Sequence, residues 1–289
     1  MADQAVGVVP PFLLVALRYL IVAVVFLPFT RRGNLRWVHI VSVGWLYGVV
    51  QFSGLFLGLR LGVGAGVAAT VIQSQVLFTI VLARLLLKEP VRLVQWAELA
   101  LGTGGLFLIA SSGGGGAPVR GIACVLVGAA GWAASNIVLK TAGPVSAWSL
   151  TVWQSVAVVP VMPLLSVAFE TNQVHVVTHL SPRTTAALCY IALCSTGLGN
   201  FVWYRLVQRV GPSRAAPFSL LVPVVGLLAA RVVLDQRLSS QQAAGMLLTV
   251  LGTALVMRPT SHAPRRSLPS TPGGGQQRGA TVPDRSTSR

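Results

Sequence analysis

Apolar runs of 14 to 24 residues follow one another through most of this chain, separated by short polar breaks that are mostly basic. The runs are Pro11–Phe29, Val38–Leu57, Gly66–Leu87, Ala97–Ala110, Gly121–Leu139, Ser146–Phe169, Thr184–Val207, Ala215–Leu234 and Gln241–Met257. A helix needs about 20 mostly apolar residues to cross a bilayer core. The pattern therefore predicts an all-α, polytopic membrane protein with nine transmembrane helices. The first run is not a secretory signal, because Asp3 is the only charge before it and a signal carries a basic leader. From residue 259 to 289 the pattern stops. That segment is rich in proline, serine, glycine and arginine, cannot offset its ordering entropy by burial, and is expected to be disordered.

Two stretches share one design. Val210–Met257 laid over Val63–Ala110 at an offset of 147 matches at 12 of 48 positions, among them Gly64/Gly211, Ala68/Ala215, Arg84/Arg231 and Gly105/Gly252. Turn, helix, charged break and helix fall in register. A repeat at half the chain length is a common transporter construction. The glycine run Gly113–Gly116 is the natural joint, giving a first repeat over 1–112, a linker over 113–120 and a second repeat over 121–258. The run from Ala215 opens after the basic turn Gly211-Pro212-Ser213-Arg214 and contains Pro217 and Pro223. Interior prolines are tolerated in a membrane helix whose neighbours re-satisfy the freed carbonyls, and broken helices are where transporters tend to bind substrate.

Composition sharpens the class. Of 289 residues, 54% are hydrophobic and 10% charged, against about 25% charged in a soluble domain. The net charge of +16 comes from 22 Lys+Arg and 6 Asp+Glu. Nucleic acid is set aside as a partner, because the arginines are spread between apolar spans rather than gathered on one helix. Alternating the loops puts Arg31, Arg32, Arg36, Lys88, Arg92, Lys140, Arg209 and Arg214 on one side and Arg60, Arg120, Arg183 and Arg237 on the other. Basic loops stay in the cytoplasm, so the first set and the C-terminus are expected there and the N-terminus outside. Cys124, Cys189 and Cys194 have no metal or redox spacing, and His175/His179 lacks a carboxylate partner. The chain has no phosphate loop, nucleophile elbow or paired catalytic carboxylates. No enzyme and no cofactor are expected. Glu98 lies one turn inside a helix start, an interfacial position rather than a proton relay.

The segments LRYLIVAVVFLPF, GVAATVIQSQVLFTIVLARLLLKEPV, SNIVLK and APFSLLVPVVGLLAARVVLDQRL resemble the EamA family of the drug/metabolite transporter superfamily. The resemblance runs from about Pro10 to Met257 and rests most on Gln73/Gln75 and Ser219–Val224. It implies two inverted five-helix repeats. Against that pattern the first helix of the first repeat is expected to be missing here, since the first half has four runs and the second has five. The family's Gly-Glu after the fourth helix reads Lys88-Glu89 here, and its echo reads Asp235-Gln236. The resemblance further implies export of small amino-acid-like metabolites, of cysteine/O-acetylserine type, across the inner membrane by alternating access. The alternatives are export of another small molecule or drug, or a non-transporting truncated membrane remnant. The expected partners are a small-molecule substrate and the lipid bilayer, with a homodimer left open.

Polar residues inside spans are the candidates for substrate contact, because polar groups facing lipid are costly. Arg18 lies seven residues into its span, roughly 10 Å deep at 1.5 Å per residue. A guanidinium at that depth needs an anionic partner or a water-filled cavity, and it is the expected carboxylate-binding group. Trp153 stands at its counterpart position in the second half. Tyr47 and Gln51 are expected to share a face at i,i+4, as are Trp132 and Asn136, and Asn200 with Trp203 and Tyr204. Gln73 and Gln75 complete the set.

Overall fold

The computed structural model describes residues 9–90 and 118–222, together with positions 96, 100, 101, 104, 224, 225, 228, 240, 243–245, 247, 248, 250 and 251. Every regular element among them is helical. That is the solution a chain in hydrocarbon requires, because a helix satisfies its backbone donors and acceptors within itself. We number the helices α1 (Pro11–Phe29), α2 (Trp37–Arg60), α3 (Ala65–Leu86), α4 (Val119–Thr141), α5 (Ala147–Val158), α6 (Val161–Phe169), α7 (Gln173–Thr178), α8 (Pro182–Val210) and α9 (Pro212–Ala215). Five of these, α1–α4 and α8, are long and apolar enough to cross a membrane, and α5 with α6 makes a sixth.

Three of the expected spans differ in detail. Ser146–Phe169 is not one straight helix: α5 and α6 meet at a 41° bend. Pro160 sits at the break and Pro163 follows, and a proline inside a helix removes a hydrogen bond and clashes with the preceding turn. Gly66–Leu87 is interrupted at Ile72–Gln73, between helical segments Ala65–Val71 and Ser74–Leu86. The turn expected at Gly211–Arg214 is instead the start of a helix, with Pro212 at its first position, where a missing N–H costs nothing. Helical geometry then tightens to 3₁₀ over Ala216–Leu220, which accommodates Pro217. Most of Ala97–Ala110 and of Gln241–Met257, all of the charged break Asp235–Arg237 and of the Gly113–Gly116 joint, and Pro223, Arg231, Glu98 and the segment 259–289 lie outside the described residues.

Two carboxylates anchor helix starts across long sequence separations. Glu170 accepts from the backbone N–H of Phe12 (2.7 Å) and of Leu13 (3.0 Å), so it caps α1 from the end of α6. Ser166 Oγ holds the same carboxylate at 2.7 Å. Glu89, just past α3, accepts from Ser213 N (3.3 Å) and from the Ser213 hydroxyl at the start of α9. The first N–H groups of a helix have no intrahelical partner, and an anion there is favoured by the helix dipole. Gly211 has φ +88, and a Cβ there would stand 2.6 Å from Glu89 Oε1. Glycine is therefore needed for both the backbone conformation and the approach of the carboxylate.

The helices pack through two kinds of contact. Apolar side chains interlock where α1 meets α5 and α6, with Phe12, Val15, Ala16 and Tyr19 against Val158 and Met162. A second core joins Ile40, Val43, Leu139, Leu150, Tyr204, Val207 and Ala215. Between α2 and α4 the contact is backbone to backbone at Gly54, Gly58, Gly121 and Gly128. Membrane helices favour small residues for such close approach. Val24, Leu85, Leu164 and Val202 are exposed on the outside, as apolar side chains facing lipid are.

Candidate functional site

α1 supplies Arg18 and Tyr19, α2 supplies Tyr47 and Phe52, α5 supplies Gln154, and α8 supplies Asn200 and Tyr204. Arg18 is half-buried. Its guanidinium stands 4.1 Å from the Phe52 ring centroid and 5.3 Å from that of Tyr19, within cation–π range. Its Nε is shielded from solvent and has no hydrogen-bond partner. The described carboxylates, Glu89 and Glu170, are bonded elsewhere. The Arg18 guanidinium lies near the hydroxyls of both Tyr19 and Tyr47, and the hydroxyls of Tyr19, Tyr47 and Tyr204 lie near one another. The cluster is therefore one connected patch, assembled from helices far apart in sequence.

The route by which α2 reaches this patch departs from the expected face. Gly44–Gln51 is π-helical, so side chains five apart are brought together instead of four. Tyr47 packs on Phe52, with ring centroids 5.8 Å apart, rather than pairing with Gln51. Ile191–Gly199 in α8 is also π-helical, and there Thr196 Oγ1 donates to the Ile191 carbonyl at 3.3 Å. The two π segments begin 147 residues apart. π bulges recur at functional sites, and here each lies beside a residue of the patch.

Three carboxamides behave alike. Tyr47 Oη donates to Asn200 Oδ1 (3.2 Å), Tyr204 Oη to Gln154 Oε1 (2.6 Å) and Trp203 Nε1 to Asn136 Oδ1 (2.9 Å). An indole N–H only donates, which fixes the Asn136 oxygen toward Trp203. Each amide oxygen is thus occupied. The corresponding Asn136 Nδ2, Gln154 Nε2 and Asn200 Nδ2 are shielded and unpartnered. Tyr19 Oη lies within reach of the Arg18 guanidinium and the Asn200 carboxamide but makes no hydrogen bond of ordinary geometry with either. The patch presents buried donors in excess, and a buried unmade hydrogen bond costs about 1–3 kcal/mol.

The other expected residues are placed differently. Asn136, Trp132 and Trp203 come together, with the two indoles 5.0 Å apart. Gln73 Nε2 donates to the Ser219 carbonyl (2.9 Å) and Gln75 Nε2 to Gln73 Oε1 (3.1 Å), so these amides tie the break in α3 to the 3₁₀ stretch after α9. Trp153 stacks edge-on against Trp37 at 5.6 Å, and its Nε1 is shielded without a partner, as is Gln51 Oε1. Tyr19 and Phe52 are members that sequence reasoning leaves out, and Gln154 stands out in the sequence only as the amide beside Trp153. Tyr19 adjoins the one charge in its span, the only signal for it; Phe52 is recognisable only once its partners on other helices are known. Among the described residues no three His, Cys, Asp or Glu side chains are grouped to hold a metal.

The profile of the EamA-like transporter family matches residues 1–111 and 119–258. The chain belongs to the EamA-like transporter family. As an EamA-like transporter it is a multi-pass membrane protein that moves a small molecule through a lipid bilayer, not an enzyme. It is 34% identical over 253 residues to the "Probable amino-acid metabolite efflux pump" of Salmonella typhimurium, with 84% of each chain covered. The protein of the same description from Escherichia coli is 30% identical over equal coverage. A shorter match, 42% over 69 residues, covers 24% of this chain and 60% of a "Probable 4-amino-4-deoxy-L-arabinose-phosphoundecaprenol flippase subunit ArnE" of Pseudomonas aeruginosa. One crystal structure superposes with a TM-score of 0.72 and 22% identity, covering 88% of this EamA-like chain and 91% of the other, a likeness of fold.

Proposed function

We propose that this EamA-like transporter exports small amino-acid-like metabolites of the cysteine/O-acetylserine type across the plasma (inner) membrane by alternating access. The observation that carries this is the donor excess around Arg18. Among the described residues, a guanidinium without a carboxylate partner and the N–H groups of Asn200 and Gln154 that no acceptor meets lack one thing, an acceptor-rich anion. A carboxylate supplies that as a charge-assisted, fork-to-fork pair. Tyr19, Tyr47 and Tyr204 close around it, and Asn136, Trp203, Gln51, Trp153, Gln73 and Gln75 contact or support the remainder of the substrate. The names of the Salmonella and Escherichia relatives agree with an amino-acid metabolite as cargo. The chain is organised as two inverted halves, and the matching positions of the π segments support that reading.

The test is transport by the full chain in proteoliposomes loaded with labelled cysteine or with labelled cysteamine, which lacks the carboxylate. Cysteine leaves and cysteamine stays. Equal efflux of the two would remove the carboxylate from recognition.

The orientation is inferred from the arginine and lysine bias, which places the loop at residues 30–37 and the C-terminus in the cytoplasm. After replacement of the three native cysteines, Asn34→Cys and Gly275→Cys are both expected to resist an impermeant thiol reagent in intact cells and to react after lysis. Labelling of one but not the other in intact cells would overturn that topology.

A further inference from the structure

Away from the Arg18 patch, a cavity of about 630 Å³ lies where α4 ends, α5 begins and α8 ends. Its charged and amide lining is Lys140, Gln208 and Arg209, and the loop residues Pro144 and Val145 form an apolar wall. Lys140 Nζ donates to the Gln208 carbonyl oxygen at 3.0 Å, which leaves two of the ammonium's three donors unused. Gln208 Nε2 is shielded from solvent and has no hydrogen-bond partner. Arg209 is exposed at the rim. Ser146 also lines the cavity; its hydroxyl oxygen accepts from Ser149 N at 3.2 Å and keeps its O–H to donate. Among the described residues no carboxylate balances this group, because Glu89 is bonded to Ser213 and Glu170 to the start of α1.

An ammonium and a guanidinium at one space, with an orphaned amide donor in the residue that walls it, call for an anion with acceptor oxygens on several sides. A phosphate has that shape, and a planar carboxylate does not. The volume exceeds what a bare phosphate fills and suits a glyceryl ester. The cavity is also next to lipid: Val202 and Val210 of α8 are exposed, and Arg205 and Arg209 lie one turn apart on the same exposed edge. Basic pockets between transmembrane helices at the membrane surface bind anionic headgroups. We propose that this cavity is a binding site for the phosphate of an anionic glycerophospholipid headgroup, separate from the transport path.

The experiment is thermal unfolding of the full chain in phosphatidylcholine nanodiscs, with phosphatidylglycerol included or with glycerol 3-phosphate added in solution. Phosphatidylglycerol is expected to raise Tm by roughly 5 °C or more at large excess over Kd, and glycerol 3-phosphate to raise it little. Gln208→Leu, which leaves the net charge unchanged, should lose at least half of the shift, and Lys140→Gln/Arg209→Gln nearly all of it. Arg31→Gln/Arg36→Gln, which removes the same charge from another loop, should keep the shift. An equal loss in that loop variant, or an undiminished shift in Gln208→Leu, would overturn the site in favour of bulk surface charge. A full shift with glycerol 3-phosphate would overturn the lipid as the source. If the Lys140/Arg209 variant does not fold, the Gln208→Leu result decides.

Discussion

Arg18→Ala is expected to abolish cysteine efflux while the protein still inserts and purifies at wild-type yield. On the function proposed above, removing the guanidinium deletes both arms of a bidentate pair with the substrate carboxylate, and each hydrogen bond to a charged group is worth about 1.5–3 kcal/mol. At 1.4 kcal/mol per factor of ten, the loss is roughly 100-fold or more in apparent affinity. Folding is spared because Arg18 makes no ion pair among the described residues and its Nε is already unpartnered. Arg18→Lys keeps a positive charge but lacks the planar fork and fits the Phe52 face less well, so it falls between the two. Efflux from proteoliposomes over a range of internal cysteine concentrations reads these values. A well-folded Arg18→Ala protein with unchanged efflux would mean that Arg18 does not bind substrate.

The second large effect is on assembly. Gly54→Val is expected to leave little folded protein in detergent, and Gly54→Ala to lower thermal stability clearly. A Cβ at Gly54 would lie 2.5 Å from the Cys124 carbonyl oxygen and 2.7 Å from Gly128 N. Those are backbone atoms of α4 and cannot turn aside, so the two helices must separate. Overpacking by a methylene typically costs about 1–3 kcal/mol, and valine adds two methyl groups to the first intruding carbon. Gly66→Ala is the control: nothing lies within 4 Å of its Cβ position, and it sits within the first helical segment of α3. There alanine gains about 1 kcal/mol of helix propensity over glycine. The monodisperse fraction on size exclusion and the unfolding midpoint separate the three variants. Gly54→Val behaving like Gly66→Ala would show that α2 and α4 do not meet at this glycine.

The spans were legible because apolar length is a property of the sequence alone, as at Pro11–Phe29 and Gly121–Leu139. Arg18 was legible for the same reason, as a charge where hydrocarbon is expected. The bend at Pro160 follows from proline chemistry, yet an uninterrupted apolar run concealed it. What the sequence conceals is pairing. Glu170 reads as the end of a span, but its bonds go to the start of α1, 157 and 158 positions away. Gln154 gains its part from Tyr204, 50 residues on. The segment GWLYGVVQ carries no mark of π geometry, so a wheel of 3.6 residues per turn sets Tyr47 beside Gln51 and misses Phe52.

The π segments also bear on ancestry. A π turn in an otherwise α-helical span is one residue more than the span needs. On the two-half organisation proposed above, α2 and α8 are counterparts, and their widened turns begin at Gly44 and Ile191, the same spacing of 147 at which Val63–Ala110 overlies Val210–Met257. Two separate insertions at equivalent points would require a coincidence, whereas copying a gene that already held the extra residue requires a single event. On that organisation the widened turn is older than the doubling of the chain and was already present in a half-length ancestor.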